Sequence, residues 1–283
     1  MRISTSTNIH QLRDKDSPYS AAQSVRIIKQ AGFEAVDISM NTASLPGGPI
    51  SDAWERWTDD VAQALCDTAL KATQSHAIFR SGTFHYTPEL DAHIVTMTKR
   101  DIIISGRLGI PWTVIHPLHG HDTEGLTHQQ VLERNLQWYR QFADLAANNH
   151  VGIAIENMFP DQFTTADDLL ELLDRLGDNQ VFGVCWDTGH ANIMKQNQEE
   201  SILKLGPHLK ATHIADNRGR FDDHTLPYLG NIDWKHVAKA LKASGYGGDF
   251  TYEIHELTRY MPSQYHMYIM KFAVEIAKDI IGD

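Results

Sequence analysis

Short apolar runs alternate with longer stretches of helical periodicity along the whole chain. The candidate strands are Arg2–Thr5, Ala35–Ile38, Ala72–His76, Thr113–His116, Gly152–Glu156, Phe182–Asp187, Lys210–Ile214 and Phe250–Ile254. They recur about 27–40 residues apart, the spacing of a strand–helix unit. Between them, Ser20–Gln30 reads as a helix that stops at Gly32, and Leu126–Asn149 carries Val131, Leu132, Leu136, Phe142, Leu145 and Ala146 at helical spacing. Thr165 is placed as an N-cap, with Asp167 and Asp168 in the first turn after it. Asp233–Ser244 and Pro262–Ile281 complete the helices. No Gly-, Ser- or Pro-rich linker interrupts the alternation. The pattern therefore predicts a single α/β domain over residues 1–283, closed as a (β/α)8 barrel. A doubly wound open sheet is the alternative, and eight similar units favour closure.

In such a barrel, chemistry is built at the C-terminal ends of the strands. His76, His116, Glu156, Asp187, His213 and Glu253 stand at those ends, each closing an apolar run where a polar group needs a partner. Carboxylates and imidazoles brought together in this way suit a divalent cation: Mn2+ first, with Mg2+, Co2+ or Zn2+ as alternatives. Strand alternation puts His255 on the face of Glu253 and turns Tyr252 and Ile254 toward the helices. Trp112 and Phe79 are near strand ends, where core packing is the leading role and a flat face against a bound ligand the other. Cys185 reads as a small buried residue. His119 and His121 carry no spacing signal and are assigned to solvated loops.

Composition narrows the function classes. The 283 residues carry 25 Lys and Arg against 36 Asp and Glu, a formal charge of −11. That balance disfavours general binding to nucleic acid. No apolar run approaches the length of a membrane span, no apolar leader opens the chain, and two cysteines cannot make a disulfide framework. These features predict a cytoplasmic protein with no membrane or nucleic-acid partner. Histidine, with 16 copies, is the compositional outlier, and it is both the commonest metal ligand and the acid–base group of neutral pH.

The ordered motifs resemble one superfamily. The strongest is Trp186-Asp187-Thr188-Gly189-His190, supported by Ile155-Glu156-Asn157, His213-Ile214-Ala215-Asp216-Asn217, Leu229-Gly230-Asn231-Ile232-Asp233-Trp234 and Tyr252-Glu253. Together they resemble the xylose-isomerase-like TIM barrels, which include sugar isomerases, ketose 3-epimerases, inosose dehydratases and the DNA-repair enzyme endonuclease IV. The resemblance covers nearly the whole chain. It implies Glu156, Asp187, His213 and Glu253 as ligands of one divalent metal. It also implies Glu156 and Glu253 as a proton-transfer pair acting through a metal-stabilised enediolate. His190, Arg218 and His116 would contact a small sugar substrate, with the register of Arg218 against Arg220 left open. A homodimer is a common arrangement in the superfamily. No second glutamate closely follows Glu156, and Asp161 is the nearest acid.

Endonuclease IV implies a different use of the same fold, with three zinc ions. Residues of suitable type stand at all nine of its ligand positions: His76, His116, Glu156, Asp187, His190, His213, Asp222, His224 and Glu253. Against that reading, Asn157-Met158-Phe159-Pro160 replaces a small glycine-rich turn, and the loops lack Lys/Arg clusters. Inosose dehydratase-like lyase chemistry is the other alternative.

Overall fold

A computed structural model describes all residues except 12–18, 42–47, 81–84, 86, 161, 178–179, 260 and 283. In chain order the elements are β1 (Ile3–Ser6), α1 (Asn8–Gln11), α2 (Ala21–Ala31), β2 (Ala35–Ser39), α3 (Trp54–Thr68), β3 (Lys71–His76), α4 (Pro88–Arg107) and β4 (Trp112–Ile115). There follow α5 (His128–Asn148), β5 (Gly152–Glu156), α6 (Ala166–Leu176), β6 (Phe182–Asp187), α7 (Thr188–Ile193), α8 (Gln198–Leu205) and β7 (Leu209–His213). The last are α9 (Trp234–Ala243), β8 (Phe250–Tyr252), α10 (His255–Arg259) and α11 (His266–Ile281). Among the described residues no helix is long and apolar enough to cross a membrane.

Local chemistry sets the helix ends. The Ser20 hydroxyl accepts from the Gln23 amide and the Gln23 side chain returns a bond to Ser20, while Gly32 ends α2 at φ 103°. Thr165 caps α6 in the same reciprocal way with Asp168, and Asp233 caps α9. The predicted helix around Pro262 begins later, at His266, after a single 3-10 turn.

The strands are parallel in the order β7-β6-β5-β4-β3-β2-β1-β8. Closure comes from a parallel bridge between Ile214 and Tyr252. There Ile214 N donates to Thr251 O (2.8 Å) and Glu253 N donates to Ile214 O (3.0 Å). β8 thus ends at Tyr252, two residues short of the sequence expectation, because β1 pairs with it only through Thr5 and the chain then turns into α10.

Alternation sorts the barrel interior into layers. Trp112, at the start of β4, fills the N-terminal end, and its ring occupies the space that a Cβ on Gly152 would need. Val114, Ala154, Cys185 and Ala211 form a small apolar layer above it. Two residues further along the same strands come His116, Glu156, Asp187 and His213, all at the C-terminal end. Trp112 therefore lies at the opposite end of the barrel from these side chains, and a role against substrate is ruled out by its position. Cys185 is fully buried, and burial pushes its thiol up to about 12.

Candidate metal centre and active site

Glu156 ends β5 in the barrel interior. Its Oε1 lies 3.0 Å from His213 Nδ1 and its Oε2 lies 3.0 Å from His116 Nε2. His213 Nδ1 is also 3.4 Å from Glu253 Oε2 and 4.0 Å from Asp187 Oδ2. One ligand atom from each of Glu156, Asp187, His213 and Glu253 falls within 4.8 Å of the other three. The barrel closure produces this convergence, since the Glu253 amide is bonded to the residue after His213.

The WDTGH motif divides into positioning and site-facing parts. Asp187 Oδ1 accepts the His190 amide (2.6 Å) and caps α7, while Asp187 Oδ2 is buried with no hydrogen-bond partner. The Thr188 hydroxyl lies 2.8 Å from Ala215 O and 3.1 Å from Ala215 N, tying the end of β6 to the end of β7. Trp186 is anchored by Gln198, which accepts the indole N–H at 2.9 Å. Asn157 exchanges two hydrogen bonds with the Asp187 backbone, at 2.7 and 3.0 Å, so the residue after Glu156 holds Asp187 in place.

The electrostatics favour a cation. Burial alone would raise the Glu156 carboxyl, but the His213 and His116 imidazoles hold it well below its ordinary range. Burial acts the same way on Glu253, and His213 and His224 bring it down to about 2. Asp187 is pushed up to about 6, first by burial and then by the neighbouring carboxylates. Three carboxylates in so small a buried volume, two oxygens of which (Glu156 Oε2 and Asp187 Oδ2) have no hydrogen-bond partner, fit a divalent ion in both charge and ligand type.

Further histidines surround this cluster. His76 Nδ1–H donates to Ala77 O (2.8 Å), which turns Nε2 to within 3.5 Å of Glu156 Oε2 and 3.1 Å of His116 Nε2. His190 Nδ1–H donates to Asn157 O (2.8 Å) and His224 Nδ1–H to Glu253 O (3.0 Å). Their Nε2 atoms both face Asp222 Oδ2, at 3.5 and 2.8 Å. Backbone carbonyls thereby orient three imidazoles with Nε2 inward. Burial lowers His116 to about 4, whereas Asp222 outweighs burial at His224 and raises it to about 10.

A cavity of about 510 Å³ opens above the cluster. Glu156 and Glu253 reach it from below, His76, His116, His190 and His224 form its walls, and Phe79, Met158 and Phe159 supply apolar surface. Phe79 stacks on His116 with centroids 4.7 Å apart. Not every expected residue arrives. Arg218 is exposed and absent from the cavity lining; the chain turns at Gly219 (φ 73°). His119 is buried in the cavity wall and does not lie in a solvated loop. His255 lines the cavity from α10, not from an extension of β8. Asp161 lies outside the described residues.

One contributor had no motif to mark it. Asp37 on β2 is buried, accepts Gln74 Nε2 (2.8 Å), and lies 3.8 Å from His213 Nε2 on the side away from the carboxylate cluster. At that distance it is a charged neighbour of the imidazole and not a hydrogen-bond partner. The available signal was an acid inside the apolar run Ala35-Val36-Asp37-Ile38.

The xylose isomerase-like TIM barrel family is matched over residues 25–267. The chain belongs to this family. An uncharacterized protein of Sinorhizobium fredii is 31% identical over 191 residues, covering 64% of this chain and 59% of that protein. The chain spans between about half and three fifths of the length of the curated relatives it matches. Among solved structures, a D-tagatose 3-epimerase-like protein superposes over 100% of both chains with a TM-score of 0.76 at 20% identity. A D-psicose 3-epimerase crystallised in the presence of D-fructose does so over 100% of both chains, with a TM-score of 0.78 at 14% identity. Both share the barrel fold with this chain.

Proposed function

We propose that this barrel is a divalent-metal-dependent isomerase or epimerase of a sugar or sugar derivative. The observation that carries the reading is the convergence of Glu156, Asp187, His213 and Glu253 beneath a cavity of about 510 Å³. That volume suits a small polyol or sugar, and the structural likeness to ketose 3-epimerases supports the same class. A divalent ion held by these four side chains, Mn2+ first among the candidates, would polarise a substrate carbonyl and stabilise an enediolate.

The chain's own groups supply the proton transfers. Glu156 and Glu253 are both held ionised, and both reach the cavity. One carboxylate takes a carbon-bound proton, and the other, once it has picked up a proton from solvent, delivers that proton to the opposite face and inverts the carbon; alternatively the first glutamate returns its own proton to the adjacent carbon and the carbonyl moves. His190 and His116 face the space in which substrate oxygens would lie, and Phe79, Met158 and Phe159 exclude water from one wall. The test is a panel of ketoses, aldoses and inososes incubated with the Mn2+-loaded protein in D2O and followed by NMR. The expected result is a new sugar isomer or epimer carrying deuterium at the exchanged carbon. Product formation by loss of water would instead place the chain with the dehydratases.

A second reading rests on a specific observation. His76, His116, His190, Asp222 and His224 all join the four-residue cluster, which completes the nine-position set of the endonuclease IV resemblance. Metal analysis after purification without chelator and thorough desalting separates the two. One tightly held ion per chain and no incision of abasic DNA at low salt, where phosphate attraction is strongest, are expected. Close to three zinc ions per chain, with incision abolished by His224→Ala, would overturn the sugar reading.

A further inference from the structure

A second group of metal-ligand side chains stands at the barrel rim, outside the cluster described above. His121 and Glu124 lie on the loop after β4, bracketing the end of a 3-10 turn over Gly120–Asp122. His121 Nδ1 is 2.8 Å from Glu124 Oε2. His85, from the loop after β3, brings its ring centroid to 4.1 Å from that of His121. One ligand atom from each of His85, His121 and Glu124 lies within 4.8 Å of the other two, and all three residues are exposed. They share no residue with the buried cluster.

Arg80, which follows β3, is fastened to the loop after β4 independently of these side chains. Arg80 donates from Nε and Nη2 to both oxygens of Asp122, at 2.8 and 2.6 Å. The Asp122 carbonyl accepts Arg134 Nη1 at 2.6 Å, and Thr123 closes the turn through its bonds to Gly120 O. His121 and Glu124 are therefore presented from a fixed turn. Two imidazoles with one carboxylate is a donor set used for zinc and other borderline divalent ions, with a fourth position left for water.

We infer that His85, His121 and Glu124 form a second divalent-metal site, zinc-type in its donors, that clips the β3 and β4 loops together at the cavity rim. Its place matters because Arg80, His119 and Gly120, which line the cavity, belong to the same two loops. A clipped rim restrains that wall of the cavity whatever reaction the buried cluster carries out. Exposure makes the site weaker than the buried one and responsive to free metal.

Zn2+ is the probe. Protein whose buried metal content has been measured is titrated with Zn2+ by calorimetry, in wild-type form and as His121→Ala/Glu124→Ala. Wild type is expected to take up one further Zn2+, and the variant to bind that ion at least about tenfold more weakly, since even an indirect loss at a metal site costs that much. Amide exchange over residues 119–124 should slow with Zn2+ in wild type only. Both substituted side chains are exposed; should the double variant melt early without Zn2+, His85→Ala replaces it. Equal Zn2+ uptake by wild type and variant, or no uptake beyond the buried centre, would overturn the inference.

Discussion

Glu253→Gln, fully loaded with metal, is expected to lose about 10²–10⁴-fold in turnover on a confirmed sugar substrate, and Glu156→Gln at least as much. The substitution keeps the size of the side chain and one oxygen ligand, and removes only basicity and charge. Glu253 is the more accessible of the pair, with 13% of its side chain exposed against 1% for Glu156. Glu156 is also packed against His76, His116 and His213, so its loss disturbs more of the centre. A neutral amide is a weaker ligand for a hard cation, so some affinity for metal should be lost too. Turnover is therefore compared at saturating Mn2+, with bound metal measured in the same samples. Glu253→Gln that retains both normal turnover and normal exchange of solvent deuterium would make Glu253 a ligand only and end the two-glutamate scheme.

Gly230→Ala is expected to destabilise the fold by about 3 kcal/mol, a fall in melting temperature of roughly 6–12 °C for a chain of this size. Any Cβ at this position would overlap Asp216 Oδ1 and the carbonyl oxygen of Asn217. Asp216 cannot move aside cheaply. Its Oδ2 accepts the Trp234 indole N–H (2.8 Å) and the Tyr228 amide (3.0 Å), and its Oδ1 accepts the Asn217 and Ile232 amides. Displacing a buried carboxylate from such donors costs more than a neutral hydrogen bond. The disturbance should reach the site, because Ala215, next to Asp216, is bonded to Thr188 beside Asp187. Thermal melting and metal affinity are the measurements. A variant that melts within a degree of wild type would show that the Asp216 loop is not the rigid support described.

These two results bear on different halves of the same motifs. In WDTGH, Asp187 and His190 face the site, whereas Trp186, Thr188 and the Asp187 backbone are fastened to Gln198, Ala215 and Asn157. In the segment from His213 to Trp234, His213 faces the site and Asp216 is a structural hub. The resemblance named both kinds of residue without distinguishing them. The hydrogen-bond partners draw the distinction.

Much was decided by the order of residues alone. Alternation along each strand is strictly local, so the interior positions of β4 to β7 could be read in advance, including the polar residue that closes each one. Helix caps are local as well, and Ser20, Thr165 and Asp233 stand where short-range chemistry puts them. The eightfold repeat implied the barrel, and the barrel implied a shared end for Glu156, Asp187 and His213. Long-range contacts decided the rest. Trp112 went to the far end of the barrel because strand direction, not proximity to an apolar run, sets which end a residue occupies. Arg218 turned outward at Gly219, and His119 turned inward from a segment with no periodicity to read. Asp37 met His213 across the barrel, separated from it by most of the chain. Glu253 entered the centre only through the Ile214–Tyr252 closure, a contact between the last two strands that forms when the sheet meets itself.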